Sequence, residues 1–366
     1  MNQGFKDQLD RLISQRMAEL SVPGAALALI EDGKVSWVRT FGVASTVRQN
    51  PVTANTLFNI QSVSKAIAAW AVMCLVEDGL VSLDAPVETY LKRWSFPPSP
   101  YPTTEVTLRR LLSHHGGIST AGIKSVPAEF TDLTLIDGLL ADLPDSTEDQ
   151  IAYYKHWALE PDHPIALEFP PGKEWHYSNG GFALLELMIE NVTGLSYAEF
   201  VTRRVLMPLG MTHSTFHPAD DQDIAAWHGL QGAELGRYRW LSLAAAGLYT
   251  TIDDLAAFAC AEMTGAKGEP AGRTVLRPQS VAAMFTAHGL ADSAFGIQFH
   301  AGLGHLLSEA DGYRNVHHSG GSLGGRSIYS IFPDQRTGFC MLMNSDQANP
   351  LWYEAISLWQ EAVRAA

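Results

Sequence analysis

Apolar positions near the start of the chain predict a helix followed by two strands. Six apolar residues recur there at helical spacing: Phe5, Leu9, Leu12, Ile13, Met17 and Leu20. Val22-Pro23-Gly24 ends this helix. Residues 25–30 and 35–41 are short apolar or alternating runs joined by Glu31-Asp32-Gly33-Lys34, which predicts a β-hairpin.

The end of the chain repeats this pattern, whereas the middle differs. Runs at 327–332 and 339–344 predict a second hairpin, and 351–363 has a helical apolar face. Between the ends, apolar segments of helical length alternate with Pro- and Gly-rich loops; they lie around 63–76, 134–142, 181–193, 197–207 and 253–263.

These patterns predict an α/β (α+β) fold in which both chain ends build one antiparallel sheet, flanked by the terminal helices, with an all-helical lobe inserted between them. The expected division is 1–60 plus 285–366 for the sheet lobe and 61–284 for the mainly helical lobe. We expect the active site in the cleft at their junction.

Composition excludes several classes of function. Of the 366 residues, 46% are hydrophobic and 17% charged, which is enough to bury a core. The net charge of −14, without any Lys- and Arg-rich stretch, argues against nucleic acid as a partner. The longest charge-free apolar run, 66–76, is shorter than the ~20 residues that cross a bilayer, so no membrane contact is expected. The oligomeric state is not predicted.

The N-terminus shows no basic segment followed by an apolar one, so no secretory signal is visible and we expect a cytoplasmic protein. Cys74, Cys260 and Cys340 are far apart in apolar runs, which predicts core thiols rather than disulfides.

Ser62 and Lys65 are the first candidate catalytic pair. They stand three residues apart where the apolar helix begins, so both lie on one helix face and the amine can reach the hydroxyl. A helix N-terminus favours a developing oxyanion and a neutral, basic lysine. This is a nucleophile beside a base. A Ser-x-x-Lys tetrapeptide also arises by chance, and serine is a common N-cap.

Tyr177-Ser178-Asn179 follows a Pro- and Gly-rich loop and leads into an apolar helix. A phenol beside a lysine ammonium can exist as phenolate and pass a proton between nucleophile and leaving group. Asn179 can bind both the lysine and a substrate carbonyl. The alternative is a core tyrosine with an asparagine helix cap, and Tyr313-Arg314-Asn315 is a second match to the tripeptide.

His318-Ser319-Gly320-Gly321 precedes a strand-like run, so its backbone could line a cleft edge. Glycines at 320 and 321 permit close approach of a substrate. A Gly-rich turn with a solvent-facing histidine is the alternative, and His114-His115-Gly116 and His300-Ala301-Gly302 are rival matches.

In this order and spacing, the three elements resemble the β-lactamase and penicillin-binding-protein superfamily, in its branch of class C β-lactamases, D-Ala-D-Ala carboxypeptidases and related esterases. The resemblance extends from Val22 to the C-terminus, through segments 58–65, 80–87, 107–117, 208–211 and 246–255. It implies a β-lactamase/transpeptidase-like fold and a serine hydrolase that forms an acyl-enzyme on a small ester, amide or peptide.

The resemblance also implies roles for single residues. Ser62 would be the acylated nucleophile, Lys65 and Tyr177 the proton-transfer pair, Asn179 their organiser, and His318 the third-motif residue. The N–H groups of Ser62 and Gly321 would form the oxyanion hole. Ser319 and Gly320 are expected to contact substrate, as is Arg326, the nearest permanent cation in sequence.

One departure bears on the substrate. Class C β-lactamases carry Lys-Thr-Gly where this chain has His318-Ser319-Gly320. Loss of the lysine weakens capture of the carboxylate that β-lactams present. We therefore expect a short-chain carboxylic ester or a D-amino-acid amide or peptide as substrate. A β-lactamase, an acyltransferase and a non-turnover penicillin-recognising sensor are the alternatives.

Gly320-Gly321-Ser322-Leu323-Gly324 matches the Gly-x-Ser-x-Gly nucleophile elbow, but a strand-like run follows it and no histidine does, so we do not expect Ser322 to be the nucleophile. The adjacent pairs His114-His115 and His317-His318 point apart in a strand and chelate poorly. No metal and no cofactor are predicted.

Overall fold

The computed structural model describes residues 1–120, 125–127, 135, 165–291 and 299–365. Of the helical pattern predicted at 134–142, all but the buried Leu135 lies outside the described residues. No helix in the described ranges is long and apolar enough to cross a membrane.

The helices and strands follow in chain order. In the described ranges, the α-helices are α1 (Gln3–Leu20), α2 (Ser64–Glu77), α3 (Leu108–Leu112), α4 (Asn179–Thr193), α5 (Tyr197–Val201), α6 (Leu243–Ala246), α7 (Ile252–Ala261), α8 (Pro278–Met284) and α9 (Asn349–Arg364). The strands are β1 (Gly24–Glu31), β2 (Lys34–Gly42), β3 (Phe58–Asn59), β4 (Ser125–Pro127), β5 (Tyr238–Trp240), β6 (Tyr249–Thr250), β7 (His300–Ala301), β8 (Leu306–Ala310), β9 (Tyr313–Ser322), β10 (Gly325–Phe332) and β11 (Thr337–Met343).

Both predicted hairpins and both terminal helices are confirmed, and they meet in one antiparallel sheet. Its strand order in the described ranges is β2-β1-β11-β10-β9-β8-β7. β1 pairs with β11, with Ala25 opposite Met343 and Ile30 opposite Gly338, so the first and last strands of the chain are neighbours. The sheet therefore joins the two ends of the sequence.

Alternating residues of the central strands enter two different cores, because successive side chains of a strand point to opposite faces. Leu27, Leu29 and Met341 pack with α1 and α9, where Leu9, Ile13 and Trp359 are buried. Ala26, Ala28 and Leu342 pack on the other face with the helices that contain Ala66 and Leu255. Burial on both faces explains why these strands are continuously apolar in sequence.

In the described ranges, the regular secondary structure between β2 and β7 is mostly helical, but it also includes two short two-stranded sheets, so the inserted part is not all-helical as predicted. β3 pairs with β6, and β4 pairs with β5. Strands of two or three residues are too short to show an alternating pattern, so the sequence did not reveal them. The boundaries 1–60, 61–284 and 285–366 stay a prediction.

The three cysteines are free thiols. Cys74 and Cys340 are buried, as expected, whereas Cys260 is half-buried. Burial raises the pKa of Cys74 to about 12 and that of Cys260 to about 11, so both stay protonated and unreactive at neutral pH.

Candidate active site

Ser62 lies in a short 3-10 turn, Gln61–Val63, that leads directly into α2. Gln61 has a φ of 52°, in the left-handed region that residues other than glycine rarely adopt. Two contacts hold it there: its backbone N–H donates to Asn59 Oδ1 at 3.2 Å, and Trp240 Nε1 donates to its Oε1 at 3.2 Å. The backbone before Ser62 is therefore strained and held by its surroundings.

Lys65 is fully buried beside Ser62. Its Nζ lies 3.1 Å from Ser62 Oγ and donates to Asn179 Oδ1 and to the carbonyl oxygen of Ala245, each at 2.8 Å. In the described ranges, no carboxylate forms an ion pair with it.

Burial holds the pKa of Lys65 well below its ordinary value of 10.5, because the charged amine loses its water. A neutral amine has two N–H groups and one lone pair. When the two N–H groups donate to Asn179 and Ala245, the lone pair remains for the hydroxyl hydrogen of Ser62. The contacts of Lys65 thus suit a base directed at Ser62.

The loop that carries Tyr177 and Asn179 is anchored by Ser178 and His114. Ser178 is the N-cap of α4: its Oγ accepts from Gly181 N–H at 2.8 Å and donates to the Ser119 carbonyl at 2.7 Å. The Ser178 N–H donates to His114 Nδ1 at 3.1 Å, and the His176 N–H donates to the His114 carbonyl. Asn179, the first residue of α4, is directed at Lys65 by this anchor.

The aromatic ring of Tyr177 packs against the amine of Lys65. Lys65 Nζ is 4.9 Å from the ring centroid. Burial raises the pKa of Tyr177, and a hydrogen bond with Ser62 opposes this effect only in part. The phenolate expected from the sequence is therefore not favoured at rest, because burial disfavours the charged forms of both groups.

His318–Gly321 lies inside β9 rather than before a strand. β8 pairs with one edge of β9, and this pairing ends at His317. In the described ranges, no strand pairs with residues 318–322 on the edge that faces β8. Gly320 is required here: a Cβ would come within 2.2 Å of the Ile60 carbonyl oxygen. The strand edge thus runs directly past the turn of Ser62.

His318 is buried, not solvent-facing. Its Nδ1 donates to the Ser319 carbonyl at 2.7 Å, since a carbonyl oxygen only accepts. Burial, and then the proximity of Lys65, hold the pKa of His318 well below its usual range. The third motif therefore offers a neutral imidazole.

The other residues expected near substrate have different surroundings. Ser319 is half-buried and Gly321 is exposed on the edge of β9. Arg326 is only 5% exposed, and its guanidinium donates to Asn349 Oδ1 and to the carbonyls of Ser322 and Gly325. These contacts direct the guanidinium of Arg326 toward Asn349, the first residue of α9. Arg326 is therefore not part of the proposed substrate site.

The alternative sites from the sequence are not assembled. Ser322 ends β9 and a hairpin leads into β10, so it lacks the helix that a nucleophile elbow requires. Asn315 of the second Tyr-x-Asn match accepts from Ser330 within the sheet. No three potential metal-ligating side chains of the described residues lie together.

His114 is a residue whose place in the site the sequence did not show. It has a φ of 59°, and its ring centroid lies 4.4 Å from that of Tyr177 and 5.3 Å from that of Phe182. Its Nδ1 accepts from Ser178, so it helps to position both Tyr177 and Asn179. In the sequence, His114 belongs to segment 107–117 of the family resemblance and to a rival match for the third motif, and neither pattern indicates its contacts.

We expect His114→Leu to lower kcat about 10-fold with little change in KM, because a buried N–H left unpaired costs about 1–3 kcal/mol. His114→Asn keeps an acceptor and tolerates the left-handed backbone, so it should retain most of the activity. Steady-state kinetics with an ester, beside the exposed-site control His213→Leu, measure this. Equal kcat for His114→Leu and the control would contradict the positioning role.

A family model described as Beta-lactamase matches residues 9–364, almost the whole chain. The chain belongs to the beta-lactamase family. The resemblance deduced from its three motifs is thereby confirmed.

Relatives of this beta-lactamase-family chain include Esterase EstB of Burkholderia gladioli, which is 31% identical over 220 residues, 60% of this chain and 53% of the esterase. Protein flp of Staphylococcus aureus (strain N315) is 26% identical over 62% of this chain and 42% of its own length. The chain thus matches about half, or less, of the length of these relatives.

Solved structures confirm the predicted fold class. The octameric penicillin-binding protein homologue from Pyrococcus abyssi superposes with a TM-score of 0.72 at 27% identity, over 96% of this chain and 77% of that one. SurE with D-Leu gives 0.71 at 27%, over 99% and 76%. A class C beta-lactamase gives 0.73 at 23%, over 97% and 96%, a likeness of fold alone.

Proposed function

We propose that this chain is a serine acyl hydrolase that forms an acyl-enzyme on Ser62 and acts on a small ester or a D-amino-acid amide or peptide. The observation that carries the proposal is the buried Lys65, whose Nζ lies 3.1 Å from Ser62 Oγ while Asn179 and Ala245 accept its other hydrogen bonds. A neutral lysine held in this way is a base for the serine.

In the first step, Ser62 Oγ attacks the carbonyl carbon of the substrate as its proton passes to Lys65 Nζ. In this proposal, the oxygen that becomes negative lies between the N–H of Ser62, in the turn that leads into α2, and the N–H of Gly321 on the open edge of β9. Donors in these positions stabilise charge that develops only in the transition state.

The tetrahedral intermediate then collapses and expels the alcohol or amine, which receives a proton. Tyr177 packs its ring on Lys65, near Ser62, and in this mechanism it passes the lysine proton to the leaving group as a neutral phenol. Water attacks the acyl-enzyme in the reverse sequence of proton transfers, and Ser62 is released.

The substrate class follows from the charge beside the site. His318 is neutral and Arg326 is engaged elsewhere, so neither supplies the fixed cation that would select a β-lactam carboxylate. One relative is described as an esterase, and one structural neighbour has been solved with D-Leu. An open strand edge suits an extended peptide or amide as well as an ester.

We expect the enzyme to hydrolyse p-nitrophenyl butyrate or a D-amino-acid p-nitroanilide faster than nitrocefin. His318→Lys should raise kcat/KM for nitrocefin more than for the neutral ester, because a lysine adds a charged partner for the β-lactam carboxylate. Parallel assays of both proteins on the three substrates measure this. Faster hydrolysis of nitrocefin by the unmodified enzyme would assign a β-lactamase instead.

The pH profile should show a base of lowered pKa. Because the pKa of Lys65 lies well below 10.5, kcat/KM should rise with pH through that lowered value and stay level above it. Between the lowered pKa and 10.5 the unfolded chain binds one more proton at Lys65, so its contribution to the free energy of unfolding rises with pH.

The pH profile is measured with an ester substrate, and His318→Asn serves as the control for a histidine contribution to the acid limb. An acid limb that persists in His318→Asn supports Lys65 as the base. Activity that still climbs steeply near 10.5 would mean that Lys65 is a cation at neutral pH and is not the base.

A further inference from the structure

Glu186 is a buried carboxyl group that the proposed mechanism does not use. It lies in α4 and is 2% exposed. Asn179, Phe182 and Glu186 follow one another at i, i+3 and i+7, so they lie on one face of this helix. The first two contact Lys65: Asn179 Oδ1 accepts from its Nζ, which lies 5.4 Å from the ring centroid of Phe182. Glu186 thus continues the face of α4 that packs around the base.

Glu186 binds the start of α6, a helix of four residues. Its Oε2 accepts from the Ala244 N–H at 2.9 Å and from the Ser242 hydroxyl at 3.1 Å. Ser242 is the N-cap of α6, and its Oγ accepts from the Ala245 N–H at 3.4 Å. The first N–H groups of a helix have no partner within it, so in α6 they depend on these two side chains. Glu186 therefore holds the start of α6 against α4.

The same short helix provides the second acceptor of Lys65. The Ala245 carbonyl accepts from Nζ at 2.8 Å, and the residue before it in sequence donates to Glu186. The N–H groups and the lone pair of an amine have fixed relative directions, so the lone pair faces Ser62 only when both acceptors keep their spacing. α4 sets this spacing, because it carries Asn179 and, about two turns further along, Glu186.

The hydrogen bonds of Glu186 can persist in either charge state of its carboxyl group. Burial raises the pKa of Glu186 to about 8, although the hydrogen bond from Ala244 opposes this, and the charge of Glu190 on the same helix raises it further. On α5, burial and then the proximity of Glu186 raise the pKa of Tyr197, which stays neutral. The side chains of α6 itself do not titrate. The carboxyl group of Glu186 is therefore mostly protonated at neutral pH, and its Oε2 remains an acceptor when Oε1 carries the proton.

We propose that Glu186 is a positioning residue for the base of the acyl transfer. By holding α6 against α4, it keeps the Ala245 carbonyl directed at Lys65 and the lone pair of the amine directed at Ser62. Glu186 itself contacts neither the substrate nor the reacting atoms, and the assignment rests on the proposed role of Lys65.

The first test compares Glu186→Met with Glu186→Gln in the hydrolysis of p-nitrophenyl butyrate. Methionine leaves the buried Ala244 N–H without its acceptor, so we expect kcat to fall about 10-fold with little change in KM. Glutamine keeps an acceptor and resembles the protonated carboxyl group, so kcat should stay within about threefold of the unchanged value. An equal loss in both variants, or no loss in Glu186→Met, would overturn the proposal.

Glu190→Gln is the matched control, because Glu190 lies one turn further along α4 and binds Arg93 and the Tyr197 N–H instead of α6. It should retain the kcat of the unchanged chain. A loss as large as that of Glu186→Met would show a general effect of α4 and would contradict a specific role of Glu186.

The same comparison in the Lys65→Met protein separates positioning from a merely structural role. If Glu186 acts through Lys65, Glu186→Met should leave the residual kcat of Lys65→Met unchanged, because the base that it positions is already absent. A further 10-fold loss in that background would overturn the proposal. Full activity of Lys65→Met would contradict the proposed function itself, so the two failures are distinguishable. If Glu186→Met does not fold, Ser242→Ala, which removes a donor to the same carboxyl group, is compared in the same two backgrounds with the same criteria.

The titration of Glu186 gives a readout that does not depend on catalysis. Its folded pKa of about 8 exceeds the ordinary 4.5, so the folded chain binds one more proton between these values, and the contribution of Glu186 to the free energy of unfolding falls as pH rises through this range. Glu186→Gln removes this contribution. Denaturant unfolding of both proteins should show the free energy of the variant rising with pH relative to the unchanged chain. A difference independent of pH would mean that the carboxyl group is not buried at the start of α6 and would overturn the proposal.

Discussion

Ser62→Ala should abolish hydrolysis of every ester and amide that the protein turns over, with kcat lowered by at least about 10⁴-fold, as expected when the nucleophile of a covalent mechanism is lost. Among the described residues, Ser62 is the one whose hydroxyl forms a hydrogen bond with Lys65 Nζ. Assays of kcat, together with the mass of the acylated peptide after rapid quenching, measure this.

Ser322→Ala is the matched control. Ser322 is the last residue of β9, and the hairpin turn to β10 follows it directly. It should retain most of the activity. Intact turnover in Ser62→Ala, or an acyl adduct on another peptide, would end the assignment of Ser62. A single burst of one product per chain, without further turnover, would indicate a penicillin-recognising sensor instead of a hydrolase.

Lys65→Met and Tyr177→Phe should each lower kcat by about 10² or more, since positioned proton transfer contributes roughly 10²–10⁴-fold. Their effects should not add, because Ser62 and the leaving group exchange one proton through both residues. The double variant is therefore expected to be about as slow as the slower single variant. Steady-state kinetics of the four proteins form the complete cycle.

Stability measurements separate this loss of activity from loss of fold. Lys65 is fully buried without a carboxylate partner in the described ranges, so methionine in its place should keep or raise the melting temperature. If Lys65→Met unfolds, its kcat says nothing of proton transfer, and Lys65→Arg then tests the base. Losses in the double variant that multiply would show independent roles and contradict the shared transfer.

The sequence determined the architecture because its signals there are local. The apolar spacing of 5–20 and the turn at 31–34 depend only on neighbouring residues, and both appear in the structure as α1 and the β1–β2 hairpin. The order of Ser62-Lys65, Tyr177-Asn179 and His318 also identified the family, and the match over residues 9–364 bears it out.

The charge states of Lys65 and Tyr177 could be assigned only from the tertiary structure. From the sequence, the helix N-terminus favoured a neutral, basic Lys65, whereas a lysine ammonium beside Tyr177 would allow a phenolate. Full burial of Lys65 without a carboxylate partner in the described ranges agrees with the neutral amine and removes the ammonium that a Tyr177 phenolate would need. The sequence does not show this, because the environment that shifts the pKa of Lys65 comes from residues distant in sequence, such as Ala245 and Asn179.

Which side chains lie near the catalytic residues could also be read only from the tertiary structure. Arg326 was the nearest cation to the third motif in sequence, yet alternation along β10 turns it toward Asn349. Trp240, about eighty residues before the third motif, contacts Gln61 next to Ser62, which no sequence pattern indicated. The sequence by itself determined the elements, the family and the catalytic candidates; the tertiary structure decided which side chains meet, because distant segments supply the burial and the partners.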